Sequence, residues 1–140
     1  MAQTEFGKLS FYEIYPTSFY DSDGDGIGDI KGIIAKLPYV RSLGFTGIWF
    51  NPFFKSPFRD GGYDISDFFA IDPRFGTDAD VRKLISECHR LGLTVLFDLV
   101  AGHMSWDAEP FLESTRAETN KWSDMFVWTD NPWSWEQGLR

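Results

Sequence analysis

An apolar segment that ends abruptly at polar residues constrains the fold of this chain more than any other stretch. Leu93–Phe97 is apolar or β-branched, and Asp98 and His103 follow it closely. Such a run is typical of a strand buried on both faces of a parallel sheet, and α/β proteins carry their chemistry at the carboxyl ends of these strands. We therefore predict a buried strand over Thr94–Val100 that leads into a functional loop. A structural carboxylate and a loop histidine with only local hydrogen bonds fit the same pattern.

Two earlier segments also have strand character, and helical segments separate the three. The strands are predicted at about Ser10–Tyr15, Gly47–Phe50 and Thr94–Val100, with helical spacing of apolar residues over Asp29–Leu43 and again after Thr77. This alternation gives two successive strand–helix–strand units, which pair their strands in parallel with right-handed connections. We predict an α/β fold in which the three strands are adjacent in chain order.

The helical segments carry specific end signals. Pro38 lies inside the first, and because an interior proline removes a hydrogen bond and clashes with the preceding turn, we predict a helix that ends at Leu37 and a second that begins at Pro38. Thr77 and Asp80 predict a capping box for the other helix. Its predicted apolar face consists of Val81, Leu84, Ile85, Cys88 and Leu91.

The remaining segments look irregular. Residues 51–76 are rich in Pro, Gly, Asp and Phe, and we predict a long functional loop there. Most of the tryptophans follow His103, and residues 104–140 do not repeat the strand–helix pattern. We interpret them as an insertion with a short helix over 110–117 and a strand over 125–128.

Composition excludes several classes of function. The net charge of −8 argues against a nucleic-acid partner. The start of the chain lacks the apolar segment of a signal peptide, and no apolar run is long enough to cross a membrane. Cys88 is the only cysteine, so no internal disulfide can form, and we predict a reduced, cytoplasmic setting.

Alternating aspartates precede the first helical segment. Oxygen ligands at alternate positions, followed by a glycine that permits a sharp turn, are typical of the first half of a calcium-binding loop. Gly32 stands where the last glutamate of an EF-hand would be, so this is a different kind of site, with Ca²⁺ as the predicted cation and Mg²⁺ as the alternative. A solvated acidic turn beside a helix amino terminus is the competing interpretation. The candidate ligands are Asp21, Asp23, Asp25, Asp29 and the carbonyl oxygen of Ile27.

Six motifs occur together in a characteristic order. They are FYEIYPTSF (11–19), DSDGDGIGD (21–29), GIWFNP (47–52), GYDISD (62–67), IDPRFGT (71–77) and DLVAGH (98–103). With these motifs the chain resembles the alpha-amylase family of glycoside hydrolases (family 13), nearest its alpha-glucosidase, oligo-1,6-glucosidase and trehalose-synthase branch. The resemblance covers nearly the whole chain and is weakest after about Asp107.

The resemblance implies a particular architecture. The family fold is a (β/α)8 TIM barrel with a small domain inserted after strand 3, and such a barrel typically needs about 250 residues. Residues 1–103 would then be the amino-terminal part of the catalytic barrel, with its first three βα units. Residues 104–140 would be the start of the inserted domain.

The resemblance also implies a substrate site. Asp60, Tyr63 and His103 match the residues that bind the glucosyl unit in this family. Tyr63 would stack on the face of the sugar, His103 would bond its 6-hydroxyl group, and Asp60 would hold the non-reducing end. Asp64 and Asp98 match residues that support this pocket. The implied ligand is an α-linked gluco-oligosaccharide, whose hydroxyl groups suit carboxylates and imidazoles and whose C–H faces suit aromatic rings.

The sequence departs from the family in two respects. Gly102 stands where an asparagine commonly precedes the histidine, so we do not expect the family's calcium site between barrel and inserted domain. The nucleophilic aspartate, the acid/base glutamate and the third aspartate of the family follow strands 4, 5 and 7, to which no residue of this chain corresponds. We therefore expect the 140-residue chain to be catalytically inactive alone.

Three functions remain open at the level of sequence. The first is the amino-terminal portion of a retaining glycoside hydrolase acting on α-glucosidic bonds of oligosaccharides. The second is a non-catalytic sugar- or calcium-binding or scaffolding relative, against which the presence of Asp60, Tyr63 and His103 counts. The third is a free-standing α/β domain in which Asp98 and His103 act as acid and base. The linkage cleaved, hydrolysis versus transfer, and the oligomeric state are not encoded in these motifs.

Overall fold

A computed structural model describes residues 6–116 and 119–128 of the chain. Two 3₁₀ turns, Phe6–Lys8 and Ser123–Met125, lie near the ends of the described part. The strands are β1 (Phe11–Ile14), β2 (Gly47–Phe50), β3 (Phe54–Lys55), β4 (Asp67–Ile71) and β5 (Thr94–Phe97). The helices are α1 (Pro16–Phe19), α2 (Ile30–Ser42), α3 (Asp78–Arg90) and α4 (Glu109–Ser114).

The core of the fold is a parallel sheet with the strand order β1–β2–β5. Its register aligns Ile14 with Phe50 and Phe50 with Phe97 across the three strands. Helix α2 connects β1 to β2, and α3 connects the β2 side to β5, as two crossover units require. The predicted parallel arrangement of three strands in chain order is therefore confirmed, and their carboxyl ends lie at one edge.

The two faces of this sheet differ in their packing. On one face, Ile14, Ile48 and Phe50 are fully buried. Their helical partners in the buried core are Ile30, Ile33, Leu37, Val40, Leu84 and Cys88. On the opposite face, Trp49 is 39% exposed and Leu96 is 36% exposed. The prediction that the last strand is buried on both faces is thus wrong for the described residues, since helices cover one face only.

The helix predictions are partly right. The expected break at Pro38 is wrong, because α2 runs unbroken through this residue. Pro38 is exposed, whereas Ile33, Leu37 and Val40 are buried, so the packing of the apolar face holds α2 together despite the lost hydrogen bond. The capping box at the start of α3 is confirmed, with the Thr77 side chain accepting from the backbone N–H of Asp80.

Residues 51–76 contain more regular structure than predicted. Strands β3 and β4 pair in an antiparallel manner with an irregularity between Phe54 and Lys55, so the prediction of one long loop is wrong in part. The rings of Phe54 and Phe68, one on each strand, lie 6.4 Å apart, and this contact supports the pairing. The hairpin places the intervening turn, residues 56–66, beside the edge of the parallel sheet where the strands end.

The segment after His103 begins as predicted and then differs. Helix α4 begins one residue before the predicted helix over 110–117 and overlaps it as far as Ser114, although residue 117 is outside the described part. The predicted strand over 125–128 is wrong, because a 3₁₀ turn ends at Met125 and residues 126–128 are not in a strand. The rings of Phe126 and Trp128 instead contact Phe111 of α4, with centroids 5.2 and 5.9 Å away. Assignment of 104–140 to an inserted domain stays a prediction, and 117–118 and 129–140 lie outside the described residues.

The described helices are also informative about membranes. None of those within residues 6–116 and 119–128 combines the length and the apolar character that crossing a bilayer requires.

Candidate functional site

Five side chains with polar groups meet where the parallel strands end. The phenolic Oη of Tyr63 donates a hydrogen bond to Oδ2 of Asp98 at 2.6 Å, and Nδ2 of Asn51 donates to the same phenolic oxygen at 2.7 Å. Nδ2 of Asn51 also donates to Oε1 of Glu13 at 3.1 Å, and Nε1 of Trp49 donates to Oδ1 of Asp98 at 3.2 Å. We call Glu13, Trp49, Asn51, Tyr63 and Asp98 the strand-end cluster.

The sheet itself fixes two members of this cluster. The backbone N–H of Asn51, directly after β2, donates to the carbonyl of Ile14 at 3.1 Å. The backbone N–H of Asp98, directly after β5, donates to the carbonyl of Phe50 at 3.0 Å. These bonds extend the sheet ladder by one step, so both side chains project from rigid positions at its carboxyl edge.

A tight turn brings Tyr63 to the same place from the hairpin. Gly61 and Gly62 have φ values of 58° and 100°, a region that favours glycine, and the N–H of Tyr63 bonds the carbonyl of Asp60 at 2.9 Å. The hydroxyl of Tyr15, directly after β1, donates to the carbonyl of Gly61 at 2.9 Å. The turn is therefore anchored to the parallel sheet, and it holds Asp60 and Tyr63 near each other.

Asp64 supports this turn from behind. Its carboxylate accepts from Oγ of Ser56 at 2.8 Å and from the backbone N–H groups of Arg59 and Asp60 at 3.1 Å each. Burial alone raises the pKa of Asp64, but these three hydrogen bonds outweigh it, so the pKa lies below its ordinary value. The ionised carboxylate thus orders the backbone around Asp60, whose own side chain is exposed.

His103 approaches the same turn from the end of β5. Its Nε2 lies 3.0 Å from the backbone carbonyl oxygen of Tyr63. A carbonyl oxygen only accepts, so Nε2 carries the proton in this contact and Nδ1 is the ring nitrogen available to a ligand. The imidazole is exposed, and the contact joins residues that are 40 positions apart in the sequence.

The electrostatics of Tyr63 keep its hydroxyl protonated. Burial raises the pKa of Tyr63, and the hydrogen bond to the Asp98 carboxylate raises it further, because both disfavour a phenolate. The phenol is therefore neutral around neutral pH, and its hydroxyl donates a hydrogen bond to the Asp98 carboxylate.

Beside the strand-end cluster, two cavities separate the hairpin from the segment after β5. The larger has a volume of about 630 Å³, and Phe68, Met104 and Trp122 are among its lining residues. The smaller, of about 340 Å³, includes His103 in its lining. Tyr63 and Asp98 line neither, so the candidate site rests on the convergence of hydrogen-bonding groups rather than on the volume of a cavity.

One ion pair joins the turn to the chain that follows His103. The guanidinium of Arg59 contacts the carboxylate of Asp107 at 2.6 Å and lies 5.2 Å from the centre of the Trp106 ring. Both charged groups are about half exposed, so the pair contributes little to stability and mainly defines the rim beside Asp60.

The aspartate loop, residues 21–29, is separate from this cluster. Carboxylate oxygens of Asp21, Asp23 and Asp29 lie within 4.8 Å of one another, and Asp25 is not in this group. Asp21 accepts hydrogen bonds from the N–H groups of Gly24 and Gly26 at 2.7 and 2.8 Å, which lower its pKa. The loop therefore assembles three of the four predicted carboxylate ligands, with Asp25 bonded instead to the N–H of Ile27 at 2.7 Å.

Asp29 connects the aspartate loop to helix α2. Its carboxylate accepts from the N–H and the hydroxyl of Ser22 at 2.7 and 2.8 Å, and from the N–H of Gly32 at 2.7 Å as the helix N-cap. Burial raises the pKa of Asp29, but these bonds outweigh it and leave the pKa low. Three carboxylates so close together fit a hard cation, and each retains lone pairs for one. Calcium or magnesium binding stays a prediction.

Sequence reasoning missed three members of the strand-end cluster: Glu13, Trp49 and Asn51. A usable signal existed for Asn51, because a polar residue directly after an apolar strand stands at the functional edge of a parallel sheet. Glu13 and Trp49 carried no such signal, since their role depends on the strand register that aligns them. The predicted residues Tyr63, Asp98 and His103 do converge, and Asp60 joins them through the turn.

Comparison with known proteins gives a consistent result. The family described as "Alpha amylase, catalytic domain" matches residues 13–139. A probable alpha-glucosidase of Rhizobium meliloti (strain 1021) is 52% identical over 121 residues, which cover 86% of this chain and 22% of that protein. An oligo-1,6-glucosidase of Parageobacillus thermoglucosidasius is 49% identical over 117 residues, covering 84% of this chain and 21% of that protein. The chain therefore spans about a fifth of the length of these relatives.

A solved structure agrees with the sequence relatives. The alpha-glucosyl transfer enzyme XgtA superimposes with a TM-score of 0.86 at 50% identity, over 89% of this chain and 23% of that one. At this identity the likeness holds in sequence as well as in fold.

Proposed function

This chain belongs to the alpha-amylase family of glycoside hydrolases, and we propose that it forms the part of such an enzyme that recognises the glucosyl unit of an α-linked gluco-oligosaccharide. Asp60, Tyr63 and His103 are the proposed sugar-binding residues. Asp64 and Asp98 hold the first two of these in place. The reaction served is cleavage of an α-glucosidic bond with retention of configuration.

The bonding around Tyr63 is the observation that carries this proposal. Its hydroxyl is bonded to Asp98, its backbone carbonyl to His103, and its backbone N–H to the carbonyl of Asp60. One tyrosine is thus held between a half-buried carboxylate at its hydroxyl and an exposed imidazole at its backbone. A pyranose offers an apolar C–H face to such a ring and hydroxyl groups to both polar neighbours.

The chemistry of bond cleavage requires groups besides these. A retaining mechanism needs two carboxyl groups about 5–5.5 Å apart across the scissile bond, one as nucleophile and one as acid/base. Asp98 is unsuited to either role, because both of its oxygens accept hydrogen bonds from Tyr63 and Trp49. We propose that this chain positions the sugar and that the carboxylates which react come from later parts of the family's barrel. The relatives include glycosidases and a glucosyl transfer enzyme, so the glucosyl unit could pass either to water or to a second sugar.

We propose two further properties on separate grounds. The aspartate loop is a candidate Ca²⁺ or Mg²⁺ site built on Asp21, Asp23 and Asp29, where the cation would offset most of the charge of the three carboxylates and stabilise the start of α2. A cytoplasmic setting agrees with a single cysteine, Cys88, that is buried in the core, where burial raises its pKa to about 12 and keeps it an unreactive thiol.

A chimeric enzyme tests the proposed function. The matching segment of the Rhizobium meliloti relative is replaced by this chain, and kcat/KM is measured on maltose, isomaltose and sucrose. His103→Ala and Asp60→Asn should each lower kcat/KM about tenfold or more on the substrates that the chimera uses, because a bond to the sugar is lost.

His89→Ala is the matched control for the chimera. His89 is an exposed histidine on α3, remote from the strand ends, and its removal should leave the kinetics unchanged. If His103→Ala behaves like His89→Ala on all three substrates, His103 is not part of the sugar site. A folded chimera that binds these sugars without any turnover would favour the non-catalytic alternative.

A further inference from the structure

Asn51 is the most completely enclosed polar side chain of the strand-end cluster. It is 9% exposed, and its Nδ2 makes two hydrogen bonds, to Tyr63 and to Glu13. Its Oδ1 is buried and has no hydrogen-bond partner within the described part of the chain. Leaving a buried carbonyl oxygen unpaired is unfavourable, so the orientation of this amide is held by the two bonds on its other side.

The donor and acceptor roles in this network leave one arrangement. The carboxylate of Glu13 only accepts, so it requires the NH₂ group of Asn51 to point toward it. The carboxylate of Asp98 likewise only accepts, so the single proton of the Tyr63 hydroxyl points to Asp98. The phenolic oxygen then receives the second donor, Nδ2 of Asn51, on a lone pair.

We propose that Asn51, oriented by Glu13, is a positioning residue that holds the Tyr63 ring for the sugar. This inference rests on the proposed function, because it assigns the ring of Tyr63 to sugar contact. Asn51 and Glu13 themselves act through Tyr63. Glu13 comes from β1, Asn51 from the end of β2 and Asp98 from the end of β5, so all three parallel strands contribute to one tyrosine.

The arrangement also restricts how Tyr63 takes part in recognition. Its hydroxyl donates its proton to Oδ2 of Asp98 at 2.6 Å, and its oxygen accepts a hydrogen bond from Nδ2 of Asn51 at 2.7 Å. The hydroxyl therefore has no proton to donate to a sugar, and the ring face is the part of Tyr63 left for contact. Selectivity for individual sugar hydroxyls then falls to Asp60 and His103.

The test uses the 140-residue chain, taken as the monomeric fraction from size-exclusion chromatography. Affinity for maltose is measured for the parent, Glu13→Ala, Asn51→Ala and the double variant. Each single change should weaken binding about threefold or more, and Glu13→Ala should have no further effect once Asn51 is alanine. An undiminished effect of Glu13→Ala in the Asn51→Ala background overturns the proposal that Glu13 acts through Asn51.

A second readout does not depend on sugar binding. The Tyr63 signal is followed by NMR in chains labelled with ¹³Cζ-tyrosine, assigned with Tyr63→Phe, while circular dichroism confirms folding across the titration. The Nδ2 donor favours the phenolate, whereas Asp98 and Glu13 disfavour it, so Asn51→Ala should raise the titration midpoint of Tyr63. An unchanged midpoint and an unchanged chemical shift overturn the positioning role.

The controls separate this proposal from the proposed function. Ser114→Ala removes another buried polar group, on α4, and should change neither the maltose affinity nor the Tyr63 signal. Absence of maltose binding in the parent would count against the proposed function, while the Tyr63 midpoint would still decide the role of Asn51. Asn51→Ser replaces the alanine variant if the latter fails to fold, with the same predicted direction for both readouts.

Discussion

The aspartate loop and the strand-end cluster both concentrate carboxylates, but they bond in opposite ways. In the loop, hydrogen bonds of Asp21, Asp23, Asp25 and Asp29 join groups two to seven positions apart, mostly to the backbone. In the cluster, bonds join side chains that are 12 to 49 positions apart. Carboxylates of the first kind shape their own segment of chain, whereas those of the second kind orient aromatic rings. Substitutions in the loop should therefore change stability, and substitutions in the cluster should change sugar binding.

Asp98→Ala should give the largest effect on the cluster. It leaves the Tyr63 hydroxyl and the Trp49 indole N–H without their acceptor. Hydrogen bonds to charged groups contribute about 1.5–3 kcal/mol each, so maltose affinity should fall about tenfold to a hundredfold. Calorimetric titration of the 140-residue chain measures this, with exposed Asp124→Ala as the control. Wild-type affinity in a folded Asp98→Ala chain would show that the cluster does not organise the sugar site.

Asp21→Ala addresses the cation predicted for the aspartate loop. The variant removes one of three convergent carboxylates, and because the number of ligand charges tunes calcium affinity, it should weaken Ca²⁺ binding about tenfold. The parent and Asp98→Ala should bind Ca²⁺ with equal affinity, because Asp98 lies outside the aspartate loop. This control shows that the cation site is independent of the strand-end cluster. Equal affinities in the parent and in Asp21→Ala would remove the loop as a cation site.

Asp29→Ala should mainly reduce stability. It removes the N-cap of α2 and the bonds to Ser22, and loss of a cap alone costs about 0.5–2 kcal/mol of unfolding free energy. Urea unfolding without added cation measures the difference, and Asp25→Ala is the matched control because its carboxylate bonds only the N–H of Ile27 among the described residues. A loss of maltose affinity with unchanged unfolding free energy would reverse the assignment of roles to the two regions.

A weaker effect should appear in the pH dependence of stability. The pKa of Asp29 is lower in the fold than its ordinary value of 3.8, so the folded state binds fewer protons and gains stability above that value. The advantage of the parent over Asp29→Asn should be complete near neutral pH and should disappear as the pH falls below about 3.8 through the folded pKa. Urea unfolding of both chains between pH 7 and the acid range checks the sign, and an advantage that grows on acidification would contradict it.

Local patterns predicted the fold well where a few neighbouring residues decide the outcome. The capping box of Thr77 and Asp80 and the three parallel strands follow from spacing and alternation. Pro38 misled the prediction because tertiary packing of Leu37 and Val40 outweighs its local penalty. The exposure of Leu96 was not predictable from an apolar run, since burial depends on what covers each face of the sheet.

The candidate site was predictable only in part, for the same reason. Tyr63 and His103 were identified through the resemblance of their motifs to a family, and spacing alone would not have paired them. The roles of Glu13 and Asn51 depend on the register of β1 and β2, because their bond connects residues 38 positions apart. The aspartate loop, by contrast, was identified from spacing alone, although Asp25 points to the backbone instead of the group of three.

The sugar should be recognised at the ends of the strands and not in the aspartate loop. Amide NMR of the ¹⁵N-labelled chain, titrated with maltose in the absence of divalent cations, tests it most directly. We expect shifts at residues 60–63 and 98–103, none at residues 21–29, and loss of the shifts in His103→Ala. Shifts confined to residues 21–29 or to the cavity around Trp122, or no shifts at any accessible maltose concentration, would contradict it.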